Sequence, residues 1–479
     1  MNPRPAAAGV DDPIVRAFQG LLAREPDAVC VRQDERTATR RDIEALAHAA
    51  ASRLGHARLP AGATVALAAP NGPGFLAGLL GCLLARHPVL LLDAEAAQRE
   101  GPTAAAHLGA AALLSCSAWP PPRAPFALCP LTDAVECVAP TGTTVLKLTS
   151  GSTGRPRAAA FTSQALLADC AQIARTMDIP PHDRLLATVP MSFSYGLGNL
   201  TLPALANGNE LVVADALNPV ATLAAAARAD ATVFPAVPVF LQTLLRLTIR
   251  SLPPKLRLII SAGAPLSTAA ARAFRARFAR PVHTFYGSSE CGGISYDRTG
   301  SAAERGSVGT PIDGVRLELA DDGILAVHSP AVATGYVPDP GDDALRAGRF
   351  RTADCAAIDP TTNEVRLLGR RSDVVNVGGR KVYPGEIEDV VAQIPGVEDV
   401  VVFGETLEDR ATEVCHAVIV VRPDVAVTPR TVRDHCAKQL AAHKVPKLVS
   451  VVPEIPRTER GKLDHARLRG SPTQPGATS

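Results

Sequence analysis

The chain has 479 residues, 47% hydrophobic and 20% charged, with 4% aromatics and a formal net charge of +2. These values fit a globular protein with a sizeable core and exclude wholesale disorder, and at about 150 residues per unit the length suggests roughly three folding units. Lys and Arg are scattered, so no basic face argues for nucleic acid, and a small molecule is the expected partner.

Met1 to Pro13 carries Pro and Asp where a secretory signal needs an apolar stretch, so the chain is expected to stay cytoplasmic. The longest apolar run, Phe75 to Ala85, stops at Arg86 and His87, short of the ~20 residues that span a bilayer. It reads as a core helix followed by the strand Val89–Leu92. Ten cysteines, with no CxxC pair and no zinc-spaced His, read as buried reduced thiols. Ala-rich helical stretches alternate with short strands at Thr64–Ala68, Val89–Leu92, Thr143–Leu148, Arg184–Val189, Glu210–Val213, Thr232–Phe234, Arg257–Ser261 and Val282–Phe285. Such alternation predicts α/β layers with largely parallel strands.

From Gly306 to Val365 short strands and turn signals mark a β-rich subdomain. Past Gly369 comes a charged stretch, Arg370 to Asp373, and then about a hundred residues of α+β pattern that could fold alone. The fold class is α/β: a large N-terminal domain over 1–369, made of layered α/β subdomains plus the β-rich subdomain, and a small α+β C-terminal domain over 370–479. In the latter, Ile387, Val390, Val391 and Ile394 share a helical face behind Pro384. Strands Asp399–Phe403 and Cys415–Val421 follow, and a second helix opens at Thr428-Pro429 and stacks Val432, Cys436 and Leu440.

Directly after Thr143–Leu148 stand Thr149, Ser150, Gly151, Ser152, Thr153 and Gly154, closed by Arg155-Pro156-Arg157. Glycines let the backbone approach a polyphosphate, hydroxyls and amides donate hydrogen bonds, and Arg supplies charge. Pro156 and the lack of a Lys-Ser/Thr pair exclude a Walker A loop. On these residues alone a polar surface turn is the plain alternative.

The nine residues resemble the phosphate-binding signature of the adenylate-forming superfamily of acyl- and aryl-CoA synthetases, adenylation domains and beetle luciferases, and further motifs follow in the family's order. Ser261-Ala-Gly-Ala-Pro-Leu266 resembles the segment lining adenine, with Gly263, Ala264 and Pro265 at its centre. Tyr286, Gly287, Ser288, Ser289 and Glu290 resemble the YGxTE motif: the resemblance implies that Tyr286 stacks on adenine, Ser289 touches the α-phosphate and Glu290 holds Mg²⁺. Arg351-Thr-Ala-Asp354 resembles RTGD, which implies that Asp354 takes the ribose hydroxyls, and Leu368-Gly-Arg-Arg-Ser-Asp373 resembles the hinge, which implies that Arg370 touches ribose or phosphate. The resemblance makes the C-terminal domain mobile, with Asp373 as hinge, Gly378, Gly379, Arg380 and Lys381 serving the thiol step, and Lys462 of the PRTxxGK-like Pro456–Lys462 reaching back into the site.

The implied function is ATP-dependent activation of a fatty or aromatic carboxylic acid to an acyl-adenylate, with pyrophosphate release and transfer to the thiol of coenzyme A. The phosphopantetheine arm of a separate acyl carrier protein is the alternative acceptor, and a luciferase-like monooxygenase a more distant one. The sequence departs from the family pattern at Arg157, usually Lys, and at Ala353, usually Gly, which requires that the backbone there avoid positive φ. It departs again near the acyl pocket, where Phe193 replaces a frequent His beside Ser194 and Tyr195. Ser194 lies near where amino-acid adenylation domains carry an Asp for the substrate ammonium. His182, His283 and His443 lack catalytic companions and are read as structural.

Overall fold

The computed structural model describes residues 12–94, 101–121, 124–131, 135, 137, 139–149, 156–341, 343–346, 348–377, 380–406, 413–456 and 467. Among these, two large sheets carry the N-terminal part. The nine-stranded sheet runs, in order, Thr310–Pro311, Gly292–Tyr296, His283–Ser288, Leu258–Ser261, Val233–Ala236, Arg184–Ala187, Glu210–Val213, Val29–Gln33 and Arg36–Thr39. The seven-stranded sheet runs Gly335–Val337, Arg157–Phe161, Val145–Thr149, Val89–Leu92, Val65–Ala68, Ala112–Ser115 and Ala127–Pro130. Both are parallel inside and antiparallel at their edges.

Parallel strands are covered on both faces and therefore read as unbroken apolar runs, here Val-Ala-Leu-Ala, Val-Leu-Leu-Leu and Leu-Ile-Ile-Ser. The helix Pro73–Leu84 is apolar all round and is buried along nearly its whole length, as expected for the Phe75–Ala85 run. It joins the main core with Phe18, Val31, Ile43, Leu54, Phe161 and Leu185. Three other helices, Pro219–Arg228, Pro238–Arg246 and Thr268–Phe278, cover the opposite face of the nine-stranded sheet around Phe234, Leu244 and Phe274.

The β-rich region forms a separate antiparallel sheet of Arg316–Leu319, Ile324–His328, Arg349–Ile358, Leu345–Arg346 and Val365–Arg370. One piece leaves it: Gly335–Val337 pairs antiparallel with Arg157–Phe161 in the seven-stranded sheet. Beyond Arg370, Val375, Val382, Ile387, Val391, Ile419, Val432 and Cys436 build a core of their own. The helix Pro384–Val391 starts on proline, and Thr428 caps Pro429–Gln439 with a reciprocal capping box. Ile394 is buried but lies past the helix end rather than on its face.

None of the ten cysteines is in a disulfide, and seven are buried. The expectation of buried thiols fails at Cys129, which is exposed because Ala127–Pro130 is an antiparallel edge strand with most of its side chains in water. Cys116 and Cys137 are half-buried.

Candidate active site

In an open parallel sheet, ligands bind beyond the carboxyl ends of the strands. Three segments singled out in the sequence leave parallel strands of the nine-stranded sheet at that end: the stretch from Met191 after Arg184–Ala187, Gly263–Pro265 after Leu258–Ser261, and the Tyr286–Glu290 segment that ends His283–Ser288. Ser261 and Thr284 are register partners, so the second and third segments emerge side by side. Gly263 has φ +85, and a Cβ there would meet only Val237 Cγ1 at an ordinary 3.8 Å, so its glycine answers to backbone conformation rather than crowding. The Tyr195 hydroxyl donates to the Ile260 carbonyl at 3.3 Å, tying the first segment to the second.

Tyr286 donates its hydroxyl to Asp354 Oδ2 at 2.5 Å. Asp354 is the register partner of Arg370, whose Nε lies 3.5 Å from Asp354 Oδ1. Burial, and then the carboxylate beside it, push the Tyr286 phenol well above its ordinary pKa, so it stays a donor. Ala353 sits in the extended strand Arg349–Ile358, and its φ is not positive, so the missing glycine costs nothing there.

Glu290 is half-buried. Its carboxylate accepts from the Tyr336 hydroxyl at 3.3 Å, and its carbonyl accepts from Ala333 N at 2.8 Å. Tyr336 is the register partner of Ala159, so Glu290 is linked through Tyr336 to the strand Arg157–Phe161 that flanks the Thr149–Arg157 motif. At the ends of that motif Thr149 and Arg157 are opposed across an antiparallel pair, and Thr149 Oγ1 reaches the Arg157 carbonyl at 3.4 Å. The strand Val145–Thr149 therefore extends one residue into the motif. A carboxylate with a phenol beside it suits Mg²⁺, which takes one or two carboxylates and completes its octahedron with phosphate oxygens and water.

The acyl-pocket candidates stand on an unusual backbone. After the helical turn Ser194–Gly196, Leu197–Thr201 and Pro203–Asn207 wind as π-helical turns, a form that recurs at functional sites. Phe193 is 36% exposed, whereas Ser194 Oγ and Asn199 Oδ1 are buried with no hydrogen-bond partner among the described residues. The Tyr195 ring lies 6.1 Å from that of Phe285.

Tyr286, Asp354 and Arg370 thus come together, and Glu290 meets Tyr336. Ser288 accepts from Glu290 N at 3.2 Å and shapes that turn, and Ser289 is half-buried next to it. Asp373 ends a short 3₁₀ turn, Arg371–Asp373. Arg380 is not brought to this cluster: its Nη1 meets His443 Nδ1 at 3.4 Å inside the C-terminal unit. His283 is structural as expected, bonded to the Asp297 carbonyl at 2.7 Å and stacked on Tyr296. Ser150, Gly151, Ser152, Thr153, Gly154, Gly378, Gly379 and Lys462 lie outside the described residues, as does the side chain of Lys381. Sequence reasoning missed Tyr336, Lys147 and Asp169. A Lys inside the apolar strand Val-Leu-Lys-Leu-Thr is the signal that could have found the second.

Residues 18–337 match the family model described as AMP-binding enzyme, and residues 386–462 match the AMP-binding enzyme C-terminal domain. A feruloyl-CoA synthase of Amycolatopsis sp is 28% identical over 474 residues, 93% of this chain and 96% of that protein. A long-chain-fatty-acid–CoA ligase of Yersinia pestis is 34% identical over 239 residues, 47% of this chain and 42% of that protein. The solved amide bond synthetase McbA from Marinactinospora thermotolerans has a TM-score of 0.82 at 26% identity, covering 96% of this chain and 99% of that one.

Proposed function

The chain belongs to the AMP-binding enzyme family, and from that premise we propose that it is an AMP-forming acid–thiol ligase: it joins a carboxylic acid to AMP, releases pyrophosphate and passes the acyl group to coenzyme A. The observation that carries this reading is the Tyr286–Asp354–Arg370 cluster, drawn from three separate motifs, with Glu290 four residues past Tyr286. Tyr286 offers its ring to adenine while its hydroxyl, with Arg370, fixes the plane of Asp354, whose free lone pairs accept the ribose hydroxyls. Thr149 and Arg157 hold the ends of a loop that wraps the phosphates, and Ser289 orients the α-phosphate. Glu290 would hold Mg²⁺, which supplies charge neutralisation on the phosphate oxygens. Catalysis is mainly positioning and preorganised charge, with little side-chain proton transfer.

Lys462 supplies a further positive charge in the first half-reaction. The C-terminal unit, beginning at Arg370, then turns about Asp373 and presents Gly378, Gly379, Arg380 and Lys381 to the thiol. An aromatic or fatty acid is the proposed substrate, supported by the full-length likeness to a feruloyl-CoA synthase and the partial likeness to a fatty-acid ligase.

Pyrophosphate release over a panel of hydroxycinnamic, benzoic and fatty acids, with coenzyme A, a phosphopantetheinylated carrier protein or an amine as acceptor, tests the reading. Release that depends on an acid, with an acyl-CoA as product, supports it. ATP turnover indifferent to every acid, or product formed with the amine or carrier alone, sinks it.

A further inference from the structure

The strand entering the phosphate loop reads Val-Leu-Lys-Leu-Thr, and its middle residue is out of place. Lys147 is 2% exposed in a strand paired on both sides, where an uncompensated ammonium is strongly disfavoured. Its Nζ lies 3.7 Å from the centroid of the Phe161 ring, and the carboxylates acting on it are Asp169 and Glu290. Asp169, 3% exposed, projects from the helix Ser163–Thr176, and its Oδ1 accepts from Gly293 N at 2.9 Å. Gly292 has φ +70, and a Cβ there would fall on the Asp169 carboxylate, so the turn from Glu290 to Gly293 is shaped around that group. Asp169 Oδ2 also lies 3.0 Å from where a Cβ on Gly198 would stand, at the wall of the Ser194–Thr201 segment. Burial pushes the Lys147 pKa down and the Asp169 pKa up, and the opposite charge of each partner counters that shift. Two apolar residues would fill this space without the desolvation cost.

We propose that Lys147 and Asp169 are a positioning pair: they fix the turn carrying Glu290 against the strand that delivers the phosphate loop, and so set the registry in which Mg²⁺ and ATP are held. This rests on the assignment of Glu290 as the metal carboxylate. Asp169 grips the turn three residues after Glu290, and Lys147 balances Asp169 from a position two residues before Thr149. Removing one charge leaves the other buried and uncompensated, and the turn shifts to relieve it.

The test uses the full-length protein, with melting of the unliganded form and ATP binding by calorimetry over a Mg²⁺ series. K147M lowers Tm and raises the Mg²⁺ needed for half-maximal ATP binding about tenfold. K147M/D169N, whose Asn still accepts from Gly293 N, recovers both, and E290Q raises the Mg²⁺ requirement without lowering Tm. A K147M protein with lower Tm but an unchanged Mg²⁺ requirement makes the pair merely structural and overturns the proposal. So does a double variant that regains Tm alone, since Lys147 would then act by itself. An E290Q protein with an unchanged Mg²⁺ requirement removes the metal assignment, and the proposal with it, while leaving that failure distinct from the others. Should K147M not fold, K147M/D169N and K147M/D169A decide, because they differ in the acceptor for Gly293 N: the proposal requires the Ala variant alone to need more Mg²⁺.

Discussion

Asp354 takes the Tyr286 hydroxyl on one carboxylate oxygen at 2.5 Å and keeps Arg370 within 3.5 Å of the other, so the residue assigned to ribose is held by the residue assigned to adenine. Tyr286→Phe keeps the ring and loses this bond. With a neutral donor removed at about 1 kcal/mol, the KM for ATP should rise roughly fivefold with kcat little changed. Asp354→Ala removes a charged acceptor, at about 1.5–3 kcal/mol, and should raise it tenfold or more. Steady-state pyrophosphate release in both variants checks the order, and a larger effect in Tyr286→Phe contradicts it.

The two half-reactions should separate genetically. Lys462→Ala should cripple acyl-AMP formation by about 10²–10³, the loss expected when one preorganised charge is removed, while transfer from supplied acyl-AMP to coenzyme A stays nearly intact. Asp373→Pro, which stiffens the hinge, should do the reverse if it freezes the adenylating pose. Equal slowing of both steps by Lys462→Ala would end the domain-alternation reading.

α-Amino acids should be poor substrates. Ser194 presents a buried neutral hydroxyl, Asn199 a buried amide oxygen, and neither balances an ammonium. An ammonium without an anionic partner forfeits about 3 kcal/mol, roughly a hundredfold. Amino-acid-dependent pyrophosphate exchange as fast as that with the matching unsubstituted acid overturns this.

Stability should carry a signature of Glu388. Burial lifts its pKa from 4.5 to about 7, against the pull of Val402 N, which donates to Oε1 at 2.8 Å, and with the nearby charges of Asp389, Asp399 and Asp373 adding to the rise. The folded state prefers the protonated acid, so this contribution is complete below about pH 4.5 and is lost as pH climbs to about 7. The Tm of the parent minus that of Glu388→Gln should fall across that window and level off above it. A difference independent of pH shows that Glu388 titrates normally.

Much of the scaffold is legible in the sequence because burial on both faces leaves strands such as Val89–Leu92 and Leu258–Ser261 as apolar runs. The proposed site residues stand out in the sequence because Thr149 to Arg157, Tyr286 to Glu290 and Asp354 each concentrate distinctive chemistry in a short stretch. What joins them is not. Tyr336 reaches Glu290 only because Gly335–Val337 crosses to another sheet, and Asp169 reaches Gly293 through helix packing across 124 residues. Neither leaves a local periodicity. Cys129 was missed for a related reason: whether a short strand is central or at an edge depends on partners elsewhere in the chain.

The crossing strand Gly335–Val337 has a consequence for the protein in crowded solution. Without it the seven-stranded sheet would end on Arg157–Phe161, whose Arg-Ala-Ala-Ala-Phe side chains carry one charge and offer little deterrent to a second chain pairing alongside. The return strand occupies that hydrogen-bonding row and exposes in its place an edge of three residues followed at once by Pro338, which has no N–H to lend. The strand that anchors the loop is thereby shielded from intermolecular β-association, and its amides should rank among the slowest in the protein to exchange with deuterium.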